Sequence, residues 1–199
     1  MYLTKVTVIS NNHFFFKKGY TIDNLKDITL LVGDQGCGKS TMLKLLSIPD
    51  LDKISVELSD FCKSNVNGIS SSYFDFEKDN PSTVSNLDMV TNPDGSPRGV
   101  GSMGVMASKF ESHGETLVQY SIEGLNNLKD RIILFDEPEA ALSIRHQYAL
   151  VKAANTAVKN NCQLIFATHC LPLIQSQKEV FSMEHNKWMT SKEFIKTQT

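Results

Sequence analysis

The chain has 199 residues, enough for one domain with a real hydrophobic core and too few for two comfortable ones. A formal net charge of −2 excludes a surface coated in basic charge for nucleic acid and leaves room only for a local patch; the arginines are Arg98, Arg131 and Arg145. No apolar run approaches the roughly 18 residues of a membrane helix and no signal-peptide pattern opens the chain, so the expectation is a cytoplasmic protein with no membrane partner.

Leu3, Val6, Val8 and Ile9 alternate with Thr4, Lys5 and Thr7, which predicts a half-exposed strand. Phe14 to Tyr20 predicts a second strand and a turn. Tyr20, or one of the phenylalanines before it, is a candidate to stack on a purine ring; core packing is the alternative fate of such a cluster. Ile28-Thr29-Leu30-Leu31-Val32 reads as a buried strand, and Met42, Leu43, Leu45 and Leu46 recur at helical spacing until Pro49.

Between that strand and that helix lies Gly33-Asp34-Gln35-Gly36-Cys37-Gly38-Lys39-Ser40, which fits the phosphate-binding pattern G-x-x-x-x-G-K-[ST]. Glycines let backbone N–H groups approach phosphate oxygens with no Cβ in the way, and the helix directs its positive end at the anion. Lys39 is placed to reach the β- and γ-phosphates and Ser40 to ligate Mg²⁺. Cys37, beside Lys39 and a helix start, is either a reactive thiol or a small residue that fits the loop. Cys37, Cys62, Cys162 and Cys170 show no C-x-x-C spacing and read as free thiols.

Ile54 to Leu58 alternates as a strand. From Lys63 to Ser108, Ser, Asn, Gly and Asp dominate around Pro81, Pro93 and Pro97, which predicts a long surface loop that could order around a ligand. Ser112-His113-Gly114-Glu115, before an apolar run, has the form of a helix capping box. Ile132 to Phe135 is apolar throughout, as expected of a central parallel strand, and ends in Asp136 and Glu137. Ligands of such sheets bind at the carboxyl ends of the strands. Asp136 is therefore placed to hold Mg²⁺, and Glu137 to orient or deprotonate an attacking water. A helix from about Ile144 to Asn160 follows Ser143. A buried strand from Gln163 to Thr168 ends at His169, in the same layer as the two acids. Val180 to Glu184, a turn through His185 to Trp188, and a short helix from Ser191 close the chain with no chemistry of their own.

Together these motifs resemble the ABC-type ATPases, nearer the SMC/RecF-like and small solitary ATPases than the transporters, from Val32 to His169. Gly33 to Thr41 resembles the Walker A motif, and Ile132 to Glu137 the Walker B strand with its catalytic glutamate. Glu139-Ala140-Ala141-Leu142-Ser143 is similar to the D-loop that touches the partner subunit. Thr168-His169 resembles the switch histidine at the γ-phosphate. Ser112 to Glu115 resembles the S-G-G-Q signature, with two of its four positions changed, which acts in trans on nucleotide held by another subunit. No glutamine lies between Met42 and Ser112, where the family has its Q-loop; Glu77 is the substitute and a further candidate metal ligand. The span from Lys39 to Ser112 is too short for SMC-type coiled-coil arms, which excludes DNA bridging by arms.

The resemblance implies an α/β P-loop NTPase fold of one domain spanning 1–199. It has a RecA-like core sheet, N-terminal antiparallel strands and a loop-rich lid at about 60–128. It implies ATP and Mg²⁺ as ligands, with Lys39, Glu137 and His169 catalytic. Gly33 to Thr41 would bind nucleotide, with Tyr20, Ser112 and Gly114, while Ser40, Asp136 and Glu77 would bind metal. The implied behaviour is an ATP-dependent homodimer that drives an effector protein, in DNA maintenance or phage-related attack and defence. A nucleotide-gated module with little hydrolysis and a small P-loop kinase are the alternatives.

Overall fold

The computed structural model describes residues 3–10, 15–47, 54–58, 71–75, 125, 128–140 and 142–198. The expected insertion at about 60–128 falls outside them, apart from 71–75, 125 and 128, and so do Glu77, Ser112 and Gly114.

Among the described residues, the framework is a six-stranded sheet. β3 (Ile28–Val32), β6 (Ile132–Asp136) and β7 (Gln163–Ala167) are its centre, and every residue of the three is buried. β5 (Ser71–Asp75), β8 (Glu179–Ser182) and β9 (Lys187–Thr190) complete the order β5-β6-β7-β3-β8-β9, in which only the β8–β9 pair is antiparallel. Strands covered on both faces run apolar at nearly every position, not only at alternate ones, which is why three runs were readable as central strands; their polar members, Thr29, Asp136 and Gln163, are each hydrogen-bonded. A smaller antiparallel sheet holds β2 (Thr21–Ile22), β1 (Leu3–Val8) and β4 (Ile54–Leu58), in that order.

Successive side chains of the large sheet alternate between two cores. Leu30, Val32, Ile133, Phe135, Leu164 and Phe166 face one side. There they meet α2 (Ile144–Lys159), α3 (Leu171–Ser176) and α4 (Ser191–Thr197). Phe135 and Phe166, register partners across β6 and β7, stack with centroids 5.1 Å apart. Leu31, Leu134, Ile165 and Phe181 face the other side, where α1 (Lys39–Ser47) and the small sheet pack on them. Gln163 joins the two sheets: its amide donates to the carbonyls of Leu3 (2.8 Å) and Lys26 (3.2 Å), and its Oε1 accepts from Leu3 N–H at 2.7 Å.

Three local expectations are corrected. The strand expected within Phe14 to Tyr20 is displaced: Phe15 to Tyr20 carry a turn at Lys18 and Gly19, and β2 follows at Thr21. The stretch read as a loop from Lys63 to Ser108 contains β5, paired in parallel to the Asp136 strand with Asp75 opposite Asp136 in the backbone register. α3, with Pro172 in its first turn, was not expected at all. Pro suits that position, because the N–H it lacks has no helical partner there.

Candidate active site

The loop after β3 turns through Gly33, Gly36 and Gly38 at φ of 141°, 82° and 97°. At Gly38 both constraints act together. The conformation is left-handed, and a Cβ there would lie 3.0 Å from the Phe16 ring, so only glycine lets α1 start under the aromatic pair. Lys39, the first residue of α1, is only 4% exposed. Its ammonium is satisfied by the carbonyls of Gly33 (2.9 Å) and Asp34 (3.0 Å) and lies 3.9 Å from Cys37 Sγ.

One helical position further on, Ser40 Oγ donates to Asp136 Oδ1 at 2.8 Å. This bond brings the end of β6 to the start of α1 across a separation of 96 residues. Glu137 follows at φ 48°, a conformation sparsely used by non-glycine residues, and its N–H donates to Ala167 O at 2.9 Å. Gln35, Gly36, Gly38, Lys39, Ser40 and Thr41 line one face of a cleft of about 250 Å³. Asp136 and Glu137 line the other, and Phe15 and Lys44 also border it.

The remaining sequence candidates stand around this cleft. Gly33 and Asp34 supply the carbonyls that hold Lys39. Cys37 is half-buried, and burial pushes its thiol pKa up against the pull of Lys39. That weighs against a reactive thiol and favours Cys37 as a residue that fits the loop. Tyr20 turns inward: its hydroxyl donates to Met183 O at 3.2 Å and its ring packs 4.9 Å from Phe16. The aromatic that borders the cleft is Phe15, 47% exposed. His169 follows β7 on the same sheet end. The residue is exposed as a whole, yet desolvation of its ring and the nearby charge of Lys39 hold its pKa below the ordinary value, against the pull of Glu137 and Asp34.

Sequence reasoning missed one contributor, Glu184, and the contact made by another, Glu139, which it had placed only in the D-loop-like segment. Glu184, in the turn between β8 and β9, accepts the N–H of Asp34 at 2.9 Å, so the terminal hairpin braces the glycine loop. Glu139 reaches the turn after β7, where it accepts the N–H of His169. Neither carries a local signal, since each acts on backbone distant in sequence.

The site suits a polyphosphate and a hard cation. Magnesium keeps several waters and takes one or two carboxylates plus phosphate oxygens, rather than an all-protein cage. Ser40 and Asp136 are such a donor set, and no cluster of three or more acidic, His or Cys side chains is found among the described residues.

No family model and no curated protein matches the sequence. Solved structures do match the fold. A protein assigned as a metal-chelate type ABC transporter, in an inward-facing conformation, superposes with a TM-score of 0.58 at 17% identity, covering 96% of this chain and 84% of that one. The fold is that of an ABC-type ATPase domain. The cbiO1 protein of Clostridium perfringens, part of the ABC transporter complex cbiONQ, gives 0.56 at 15% identity, over 100% of this chain and 92% of its own. A bacterial Atm1-family ABC exporter with ATP bound gives 0.55 at 16%, with 99% of this chain covering 41% of that one. Among the described residues, no helix is long and apolar enough to cross a membrane.

Proposed function

We propose that the chain is an ATP-binding and ATP-hydrolysing switch that dimerises on ATP and separates after hydrolysis. The observation that carries this reading is the meeting of Ser40 and Asp136 in a cleft that also presents Lys39 and Glu137. Lys39 and the backbone N–H groups from Gly36 to Thr41 hold the phosphates at the start of α1. Ser40 and Asp136 hold Mg²⁺, with Glu77 a further candidate ligand, and the ion neutralises charge on the phosphates. Glu137 orients or deprotonates the attacking water, and His169 meets the γ-phosphate. Phe15 takes the place of Tyr20 as the ring for the adenine.

The cleft of about 250 Å³ is smaller than the roughly 300–1,000 Å³ of a complete small-molecule pocket. The described lining fits a phosphate tail and an ion, and in this reading a further wall comes from a second copy. Ser112 and Gly114 of a second copy supply it, as their likeness to the signature motif implies. Self-association has further support at the start of α2. Ile144 and Tyr148, one turn apart on one face, are 70% and 53% exposed just after the D-loop-like segment. The absence of a glutamine between Met42 and Ser112 favours a soluble, SMC/RecF-like or solitary ATPase over a transporter subunit. The effector, in DNA maintenance or in phage-related attack and defence, is identified by co-purification.

Glu137→Gln tests chemistry and assembly together. Hydrolysis falls on the order of 10² to 10⁴-fold, because the carboxylate that activates water is gone while size is kept. ATP still binds, and because the dimer alone takes it in full, nucleotide stabilises the dimer by mass action. Light scattering then reads a monomer without nucleotide and a lasting dimer with Mg²⁺-ATP. Wild-type protein that binds ATP but releases no phosphate is the nucleotide-gated module instead.

A further inference from the structure

Glu139 is a buried carboxylate with no part in the chemistry proposed for the cleft. It lies in the turn after Glu137, where Ala140 N–H bonds Glu137 O (3.1 Å) and Leu142 N–H bonds Glu139 O (2.9 Å). Its side chain crosses to the segment after β7. There Oε1 accepts the backbone N–H of His169, and the buried Thr168 hydroxyl supports the carboxylate from the same segment. Thr168 Oγ1 in turn accepts Cys170 N–H at 2.9 Å, so three consecutive residues around His169 are drawn into one arrangement. A second rung, Glu137 N–H to Ala167 O, lies beside it. The residue that activates water and the residue that meets the γ-phosphate are thus tied together through backbone.

The other oxygen, Oε2, is buried with no hydrogen-bond partner among the described residues. A carboxylate left half-paired away from water is costly, and burial pushes the Glu139 pKa up accordingly. A neutral oxygen would accept one N–H at less cost. The reach of this side chain is what the arrangement uses, since it carries the contact from the turn after Glu137 to the segment after β7.

We propose that Glu139 is a positioning residue that holds His169 where its ring meets the terminal phosphate of the bound nucleotide. The proposal rests on the ATPase reading of the cleft. Glu139 itself touches no substrate; it acts through the backbone of His169.

The test compares Glu139→Ala, Glu139→Asp and Glu139→Gln with wild type in the full chain. Alanine removes the acceptor, aspartate keeps the charge but shortens the reach by one carbon, and glutamine keeps both reach and acceptor. The expected result is that Ala and Asp lower kcat by roughly 10- to 100-fold, the scale of an ångström-level misplacement. Affinity for Mg²⁺-ATP stays within about threefold, because Lys39 and Ser40 are untouched. Glutamine restores kcat per nucleotide-binding site. A role in stability alone would lower the melting temperature and leave kcat per site unchanged. A second readout does not need hydrolysis. With a non-hydrolysable ATP analogue and Mg²⁺, the His169 ring resonances move in wild type and Glu139→Gln and stay put in Glu139→Ala and Glu139→Asp. Wild-type kcat per site in Ala and Asp, a Gln variant no better than Ala, or ring shifts alike in all four proteins each overturns the proposal. A wild-type protein that binds no nucleotide overturns the ATPase reading and this proposal with it. One that binds but does not hydrolyse overturns only the hydrolysis, and the ring shifts then decide the role of Glu139.

Discussion

Lys39 and His169 share one electrostatic problem. Lys39 is buried, and its ammonium donates to two loop carbonyls. Partial desolvation, and then that charge, hold the His169 pKa below its ordinary value. The unfolded chain binds this proton more readily. The stabilisation is therefore complete above about pH 6.5 and is lost as pH falls toward the folded value. Two changes raise the His169 pKa: Lys39→Ala, which removes the repulsion, and Mg²⁺-ATP, whose phosphates bring negative charge. A titration of the ring proton resonances checks both, and a His169 pKa unmoved by Mg²⁺-ATP would separate His169 from the γ-phosphate. At this scale much of the candidate site was legible, because the glycine loop, Lys39, Ser40, Asp136 and Glu137 obey local rules of backbone and charge. The choice between Tyr20 and the neighbouring phenylalanines was not legible, because nothing in the sequence tells which ring of an aromatic cluster faces inward. The inward ring is fixed by Met183, far along the chain.

Elements were readable where burial on both faces left no alternative to an apolar run, as in β3, β6 and β7. β5 failed that test. Ser71-Ser72-Tyr73-Phe74-Asp75 carries only two apolar residues and sits at the sheet edge, so its strand state comes from backbone pairing with β6 and not from its pattern. Pro172 hid α3 in the same way, since a proline is compatible with a break in the chain and with the first turn of a helix. The junction of the two sheets was also invisible, because Gln163 reads as a polar residue opening a strand. Its amide acts as a stand-in for a peptide unit, pairing both backbone groups of Leu3. Gln163→Leu strips its partner from Leu3 N–H and Leu3 C=O in a buried junction, and takes one of two donors from Lys26 C=O, which keeps the Thr29 hydroxyl. At about 1–3 kcal/mol for each unsatisfied group, partly relieved by relaxation, the expected loss is about 2–5 kcal/mol. Urea unfolding checks it as a lower midpoint at unchanged slope. A loss under about 1 kcal/mol would mean that the sheets hold together by their apolar core alone.

Over the whole molecule, both ends of the chain converge on the glycine loop. Phe16 caps Gly38 from the N-terminal side, and Glu184 holds Asp34 from the terminal hairpin. Trp188 fastens that hairpin by donating to Asp23 O at 2.8 Å. The cleft is thus firmly backed, and the proposed second copy would close on the side away from these braces. The apolar pair Ile144 and Tyr148 then becomes the part of the surface to probe. In the Glu137→Gln background, Tyr148→Glu puts a carboxylate where the dimer would desolvate it, and it touches neither the loop nor the sheet ends. ATP affinity of the monomer should hold. The ATP-dependent dimer should weaken at least tenfold, about 1.4 kcal/mol, read by light scattering across a concentration series. An Ile144→Ser change, which removes apolar area and adds no charge, should weaken it in the same direction by less. A dimer of undiminished strength in both variants would place the self-contact on another face of the molecule, and the exposure of Ile144 and Tyr148 would then have to answer to the effector.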